Sequence, residues 1–283
     1  MSDFFIDHSE EGYGSVLVPR GPWRPEYRQL LMTKQVIGVR LSSSMGWRSS
    51  DVTFLKELPD LRVLEIYVSE VRDASVISSL PELRVLGLQC DLRSEVDFSA
   101  LTKLEVVKAA WKPALQGLLG CTTLKQLNLM KWPGIDLGGL SKLTRIARLQ
   151  LTSNTLRTLH GLTELLSLRI LDLDACPKLR SLEDVAGTPS IQQVEVTSCR
   201  SVRSIAALSA LRELRVAILD DNAEIDSLRP LAPCHLLEEL SFVGSTRITD
   251  GKISAIEHLP RLRSLRFSPR VHYDRRHEDL LSS

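Results

Sequence analysis

The side chains best suited to catalysis or metal binding are scattered along this chain of 283 residues. The five cysteines form no Cys-x-x-Cys pair, and the closest approach to a metal-binding spacing is His272 with His277 in a polar C-terminal segment. Since a zinc site needs further cysteines or histidines nearby, the pattern favours a solvated tail over a metal site. Cys234 and His235 are neighbours in sequence, but a nucleophile and its base also need an orienting third group.

Acidic pairs are frequent, as at Asp220-Asp221 and Glu238-Glu239. Adjacent residues on a strand face opposite ways, so these carboxylates cannot converge on one substrate. The sequence contains no phosphate-binding glycine loop, no HExxH, EF-hand or GxSxG motif and no kinase signature. We therefore predict that the chain is not an enzyme and needs no metal or other cofactor.

Composition and charge restrict the class of partner and the compartment. The net charge is +1 with 25% charged residues, whereas a dedicated nucleic-acid binder normally carries a basic excess. No run approaches the roughly 20 apolar residues that span a bilayer, and the N-terminus lacks the features of a secretory signal. An odd number of widely spaced cysteines is typical of reduced thiols. These features predict a cytoplasmic protein without a membrane partner, and the excess of Arg over Lys hints at a bacterial source.

One pattern, apolar-x-x-apolar-x-apolar, recurs along nearly the entire chain. Its starting residues are separated by 20 to 26 residues, which is too regular for chance. The eleven starts are Val36, Leu61, Leu83, Leu104, Leu124, Ile146, Leu168, Ile191, Leu211, Leu237 and Leu262. A fixed period of this length predicts stacked repeats, because no single unit can bury its own apolar face.

Strand geometry assigns the positions of each unit to two faces. Alternate residues point to opposite sides, so the fourth and sixth positions, such as Leu64 and Leu86, are predicted to form an apolar interior. The third, fifth and seventh positions, such as Val63 and Val85, are predicted to face a partner. Apolar residues at three-residue spacing on the return path suit 3₁₀ turns.

The clearest unit, residues 146–167 (IARLQLTSNTLRTLHGLTELLS), resembles the short bacterial or SDS22-like class of leucine-rich repeats. The resemblance covers residues 36–270 and implies an α/β solenoid. It would be a right-handed horseshoe with a concave parallel sheet of about eleven short strands and convex 3₁₀ or short helical segments. In that family an Asn or Cys after each strand binds the backbone of the turn. Asn154, Cys176 and Cys199 match that position, and the two cysteines are expected to be reduced thiols.

The chain is predicted to be one domain with three parts. Residues 1–35 read as an N-terminal cap with a helical segment from Pro25, residues 36–267 as the solenoid, and residues 268–283 as a C-terminal cap or tail. The longer units at 211–236 and 237–261 leave room for a true helix on the convex side.

The concave face is the predicted binding surface. An aromatic and basic group is followed along the repeats by an acidic strip, and such residues are frequent at protein interfaces. The predicted site residues are Tyr67, Lys108, Trp111, Asn128, Met130, Trp132, Arg148, Gln150, Asp172, Asp174, Glu195 and Arg215. An alternative for Trp111 and Trp132 is that they cover the interior.

These observations predict a non-enzymatic module that binds another protein on the concave sheet, with an inhibitory, immunity-type or regulatory role. Two alternatives remain: a targeting or regulatory subunit of an enzyme complex, and a self-associating structural repeat protein. Binding of single-stranded nucleic acid is disfavoured because the acidic strip would repel phosphates.

Overall fold

A computed structural model describes residues 3–9, 12–32 and 36–276. The chain forms two compact units, residues 1–129 and 130–283. His277, half of the histidine pair discussed above, lies outside the described residues.

The first unit consists of short strands, one α-helix among its described residues, and 3₁₀ helices. Strands β2 to β6 lie side by side in sequence order and pair in parallel, whereas β1 pairs antiparallel with β2. The strands are β1 (Phe4–His8), β2 (Ser15–Pro19), β3 (Val36–Ser42), β4 (Val63–Tyr67), β5 (Val85–Leu88), β6 (Val106–Ala110) and β7 (Gln126–Met130). The helices are α1 (Glu26–Met32) and the 3₁₀ helices η1 (Ser43–Met45), η2 (Thr53–Glu57), η3 (Ser75–Ser79) and η4 (Pro113–Gly120).

The interior of the first unit is formed by the predicted fourth and sixth positions. Val39, Leu64, Leu86 and Val107 are direct neighbours across the paired strands, and all four are buried. The alternation of side chains along these strands therefore puts the fourth positions on the interior side of the sheet, as predicted.

The N-terminal segment extends the sheet before the first repeat. The helix expected after Pro25 is present as α1 and connects β2 to β3. Its Tyr27 is buried against Leu17 and Val36. Strands β1 and β2 were not predicted, because they precede the repeat pattern.

The second unit has the same construction. Strands β8, β9, β10, β11, β13 and β15 are neighbours in that order, and β12 pairs with β14 in a separate two-stranded sheet. The strands are β8 (Arg148–Thr152), β9 (Ile170–Asp174), β10 (Gln193–Thr197), β11 (Val216–Ile218), β12 (Glu224–Ile225), β13 (Glu239–Phe242), β14 (Arg247–Ile248) and β15 (Ser264–Phe267). The 3₁₀ helices are η5 (Gly138–Leu140), η6 (Leu162–Glu164), η7 (Glu183–Gly187), η8 (Ala206–Ala210), η9 (Arg229–Leu231) and η10 (Ile253–Ile256).

The interior of the second unit also follows the predicted spacing. Leu171 and Val194 are register neighbours within the buried row of its parallel strands. On the return path, Leu156, Leu159 and Leu162 are fully buried at three-residue spacing. The units at 211–236 and 237–261 contain only the short η9 and η10, so the expected longer helix is not formed there.

The register predicted for the repeat starting at Leu211 is wrong. Its strand is β11, and Ala217 is the buried neighbour of Val194 and Leu240. The repeat therefore starts at Leu214. Leu211 and Leu214 are both buried and three residues apart, so the sequence pattern fits either start. In the observed register, equivalent positions follow one another at 23-residue intervals at Ile170, Gln193, Val216 and Glu239.

The side chains that bind the turns also differ from the expectation. Asn154 is exposed, and the buried Ser153 takes its place by donating a hydrogen bond from Oγ to the Trp132 carbonyl at 2.7 Å. Asn222 accepts a hydrogen bond from the Cys199 amide at 2.8 Å and donates to the Val196 carbonyl.

The five cysteines are free thiols, and all are buried. A hydrogen bond with Cys176 and burial both raise the pKa of the Cys199 thiol. Cys176 and Cys199 are therefore adjacent thiols that contact the backbone of the turns.

Candidate functional site

The outer face of each unit is the side of its sheet opposite the leucine interior, formed by the third, fifth and seventh positions of the repeats. Side chains on this face are set by strand alternation and are not needed for the interior. The outer face of the first unit and the outer face of the second unit differ in how far the chain itself covers them.

On the outer face of the first unit, the third positions form a buried apolar row. Val16, Val63, Val85 and Val106 are fully or almost fully buried, although they were predicted to face a partner. The row is continuous because Gly38 lies between Val16 and Val63 in register. A Cβ at Gly38 would lie 2.5 Å from the Val63 Cβ, so only glycine fits there.

Three apolar side chains, one from β1, one from the segment between β1 and β2 and one from β3, cover this row. Phe5, Tyr13 and Ile37 pack against the valines. The Tyr13 hydroxyl donates a hydrogen bond to Glu105 Oε2 at 2.7 Å, across 92 residues of sequence. That hydrogen bond is the main reason why the pKa of the Glu105 carboxyl is lowered. The N-terminal segment is thus fastened over the first strands.

The fifth positions of the first unit hold a buried ionic network. Arg40 Nε lies 2.5 Å from Glu65 Oε2, and an Arg40 terminal nitrogen lies 2.5 Å from Asp7 Oδ2. The Tyr67 hydroxyl donates to Glu65 Oε1 at 3.1 Å. Glu65 is only 1% exposed, and its charge is balanced by Arg40. A buried carboxylate is thus satisfied within the chain, as buried charges require.

The site residues predicted in the first unit are only partly accessible. Tyr67, Lys108, Trp111 and Asn128 are all half-buried. The Tyr67 ring lies over Gly87, where a Cβ would be 2.7 Å from the tyrosine hydroxyl oxygen. Tyr67 therefore has a structural role beside any role in binding.

The outer face of the second unit is polar and open. The side chains at its third, fifth and seventh positions are mostly half-buried or exposed. In register order, the fifth positions are Gln150, Asp172, Glu195, Ile218, Ser241 and Arg266. Most of these positions are thus accessible to a partner, although Asp172 and Ser241 are buried.

Asp172 is the most unusual side chain of this surface. It is 7% exposed although it lies on the outer face, because Gln150 and Glu195 flank it on the neighbouring strands. Burial and the charges of Glu195 and Asp174 raise the pKa of the Asp172 carboxyl to about 6, and the charge of Arg148 opposes this shift. The predicted acidic strip of Asp172, Asp174 and Glu195 is therefore brought together by the fold.

Other members of the predicted set in this unit have different surroundings. Arg148 is exposed at the third position, while Gln150 and Met130 are half-buried. The Glu195 carboxylate accepts a hydrogen bond from Gln193 Nε2 at 2.5 Å. Of these side chains, Gln150 and Glu195 are the register neighbours of Asp172.

For two of the predicted site residues, the structure contradicts the predicted position. Trp132 is buried, and its indole nitrogen donates to the Asp136 carbonyl at 2.9 Å, so it covers the interior and cannot serve as an exposed contact. Arg215 lies one residue before β11, where it pairs with Glu238 at 2.6 Å. Ile218 occupies the outward fifth position assigned to Arg215, as a result of the register error at Leu211.

The remaining candidates for chemistry are occupied by structural contacts. His272 Nε2 is 2.8 Å from the Ile248 carbonyl. Cys234 is buried, and burial raises its thiol pKa to about 11. Within the described residues, no cluster of three or more His, Cys, Asp or Glu side chains could hold a metal ion. The helices found in that part of the chain are all too short, or too polar, to cross a bilayer.

Sequence reasoning missed the network of Arg40, Glu65 and Asp7. A weak signal existed, since Arg40 and Glu65 are opposite charges at the fifth positions of consecutive repeats. Stacked parallel strands put such positions about 4.8 Å apart. The contribution of Asp7 and Tyr13 could not be found in this way, because both lie outside the repeats.

Comparison with known proteins finds similar folds only. An internalin (inlF) from Listeria monocytogenes matches with a TM-score of 0.63 and 17% identity, over 87% of this chain and 71% of that chain. The functional domain of InlJ from Listeria monocytogenes, which includes a cysteine ladder, matches with a TM-score of 0.55 and 17% identity. The match covers 81% of this chain and 49% of that one, so this chain spans about half of its length. No family model and no curated protein matches the sequence.

Proposed function

Because the chain has a leucine-rich-repeat fold, we propose that it is a non-enzymatic module that binds another protein on the outer face of its second unit. The likeness to internalins supports protein interaction as the general function. The observation that carries the more specific proposal is the contrast between the two outer faces. Within the described residues, the third positions of the first unit form a covered valine row, whereas most outer-face positions of the second unit hold half-buried or exposed side chains, many of them polar.

The chemistry of this surface is suited to a protein surface. Carboxylates at Asp172, Asp174 and Glu195 adjoin the half-buried apolar side chains of Ile170 and Ile218. Protein interfaces combine apolar contacts with complementary charges that set the register of the partner. We include an inhibitory or regulatory role in the proposal, since a partner that occupies this face would have part of its own surface blocked. The buried free thiols support the proposed cytoplasmic location.

A bulky substitution tests the proposed surface. Thr197 is half-buried at a seventh position of the outer face, and Thr158 is an exposed threonine of the return path in the same unit. The partner is captured with the wild-type chain from cells that express it, and its affinity is then measured for both variants. Thr197→Trp is expected to weaken binding by at least about tenfold, because a partner cannot approach past the indole. Thr158→Trp is the matched control.

Equal binding by Thr197→Trp and the wild type would remove the outer face of the second unit from the interface. The thermal midpoints of the two variants are compared first, so that a loss of binding is separated from a loss of folding.

A further inference from the structure

Asp172 is a largely buried residue whose carboxylate has no ion-pair partner within the described part of the chain and whose carboxylate oxygens still reach solvent. Among the described residues, no hydrogen bond or ion pair reaches its side chain, and Arg148 acts on it only through the field of its charge. Asp172 points out of the sheet, since Leu171 and Leu173 on either side point into the interior. Buried charges are normally paired, because an unpaired one is costly.

The first unit shows how a carboxylate in the same position is satisfied. Glu65 is also buried at a fifth position, and Arg40 bridges it to a second carboxylate, that of Asp7. In the second unit, Asp172 has a second carboxylate beside it in register, that of Glu195. Each unit therefore has a pair of acidic side chains on its outer face, Glu65 with Asp7 and Asp172 with Glu195. Only the first pair is bridged by an arginine of the described chain.

We propose that the outer face of the second unit binds a basic segment of its partner, with one arginine side chain inserted over Asp172 to pair with Asp172 and Glu195. This inference rests on the proposed function and specifies the chemistry of the partner. Charge complementarity carries it: three carboxylates, Asp172, Asp174 and Glu195, meet on one open face.

Arginine suits this place better than lysine. Its planar guanidinium offers five donors in a fork that can bridge two carboxylates, and it is more weakly hydrated than an ammonium group. Ile170 and Ile218 are half-buried beside the acidic pair. Their side chains can contact the aliphatic stem of an inserted arginine.

Selection from a display library of short random peptides against the full chain tests the proposal. Peptides that bind the wild type but not Thr197→Trp are kept as ligands of the outer face. We expect each to contain an arginine whose replacement by citrulline, which keeps the shape but removes the charge and two of the five N–H donors, weakens binding by at least about tenfold. Asp172→Asn is expected to cause a similar loss. Asp226→Asn, at an exposed aspartate of the same unit, is the matched control and should change affinity by less than about twofold.

Coupling between the two changes is the decisive measurement. If the arginine contacts Asp172, the citrulline peptide will bind the wild type and Asp172→Asn almost equally, since the interaction is already absent. Additive losses would overturn the inference. So would outer-face peptides without arginine, peptides that accept lysine without loss, or a selection that enriches none.

If the selected peptides still bind the wild type but not Thr197→Trp, those outcomes contradict only the arginine inference, and the proposed function stands. If every selected peptide binds Thr197→Trp as well as the wild type, the outer face is not the binding surface, and both proposals fail.

Discussion

The two outer faces of this protein are built from the same repeat and have opposite properties. In the first unit, a row of valines is buried under Phe5, Tyr13 and Ile37, and the charges below it are paired. In the second unit, the equivalent row mixes polar and apolar side chains that are half-buried or exposed, and the largely buried Asp172 has no ion-pair partner among the described residues. Both units bury the interior leucines of their strands, so this difference has no counterpart in the core.

The contrast between the two outer faces indicates that the same repeat can use its outer side chains either for stability or for recognition. The interior of a repeat is determined by stacking, whereas its outer side chains can either stabilise the chain or remain available. In the first unit, the outer side chains of the third and fifth positions stabilise the chain itself. In the second unit an unpaired buried carboxylate costs stability, which is a common property of sites adapted to a ligand. The following measurements test this distinction, from the largest expected effect to the smallest.

The largest effect is expected from removing the central charge of the first face. Arg40→Met leaves Glu65 buried without its cation, and breaking a buried ion pair in this way costs about 3–5 kcal/mol. Urea denaturation measures the loss. Arg148→Met removes an exposed arginine from the second face and should change the free energy of unfolding by no more than about 0.5 kcal/mol. Similar losses in both variants would erase the distinction between the faces.

A steric test of the first face uses Gly38. Its substitution by alanine forces a methyl group against the Val63 Cβ, and overpacking of this kind costs about 1–3 kcal/mol. Gly120→Ala is the control, because a Cβ there meets no atom within 4 Å. A fully stable Gly38→Ala protein would show that the valine row is not tightly packed.

Asp172→Asn is expected to stabilise the protein, and the gain should depend on pH. The pKa of the Asp172 carboxyl is raised to about 6 in the folded state, so the folded chain binds more protons than the unfolded chain between about pH 4 and pH 6. The free energy of unfolding of the wild type therefore falls as the pH rises through this window. The variant should be more stable by about 2 kcal/mol at pH 8 and show little gain at pH 4. Denaturation midpoints at both pH values measure this, and a gain that is equal at both would contradict the assigned cause.

The smallest effect is expected from loosening the cover of the first face. Tyr13→Phe removes the hydrogen bond to Glu105 and should cost about 1 kcal/mol. It should also raise the pKa of the Glu105 carboxyl, since that bond is the first cause of its lowered value. Carboxyl NMR titration measures the pKa, and an unchanged value would show that Tyr13 is not held over the strands.

Much of the fold could be predicted from the sequence, because the leucine spacing acts locally and repeats. Each of the eleven predicted units contains a strand, and Leu64, Leu86, Leu127 and Leu171 are all buried. The error at Leu211 arose where a second leucine, three residues later, fits the same pattern. The fold is therefore determined mainly by short-range periodicity, with ambiguity only where two registers are equally apolar.

The candidate site could be predicted less well, because exposure on an outer face depends on distant segments. Nothing near Val63 or Val85 in sequence indicates that Phe5 and Tyr13 will pack against their row. Strand alternation and register alone place Asp172, Asp174 and Glu195 together on one face, and their role in binding stays a prediction. The burial of Asp172 depends in addition on the sizes of its neighbours on two other strands.

Equivalent strand positions in this part of the chain are spaced by 23 residues, at Ile170, Gln193, Val216 and Glu239. Whole repeats can therefore be removed, added or exchanged here. Deleting or copying one block of 23 residues preserves the inward or outward direction of every side chain that follows it. Duplications or deletions of that length in the gene would therefore lengthen or shorten the outer face of the second unit and keep its side chains in register. The same property makes these four repeats a practical starting point for engineered binders of chosen reach.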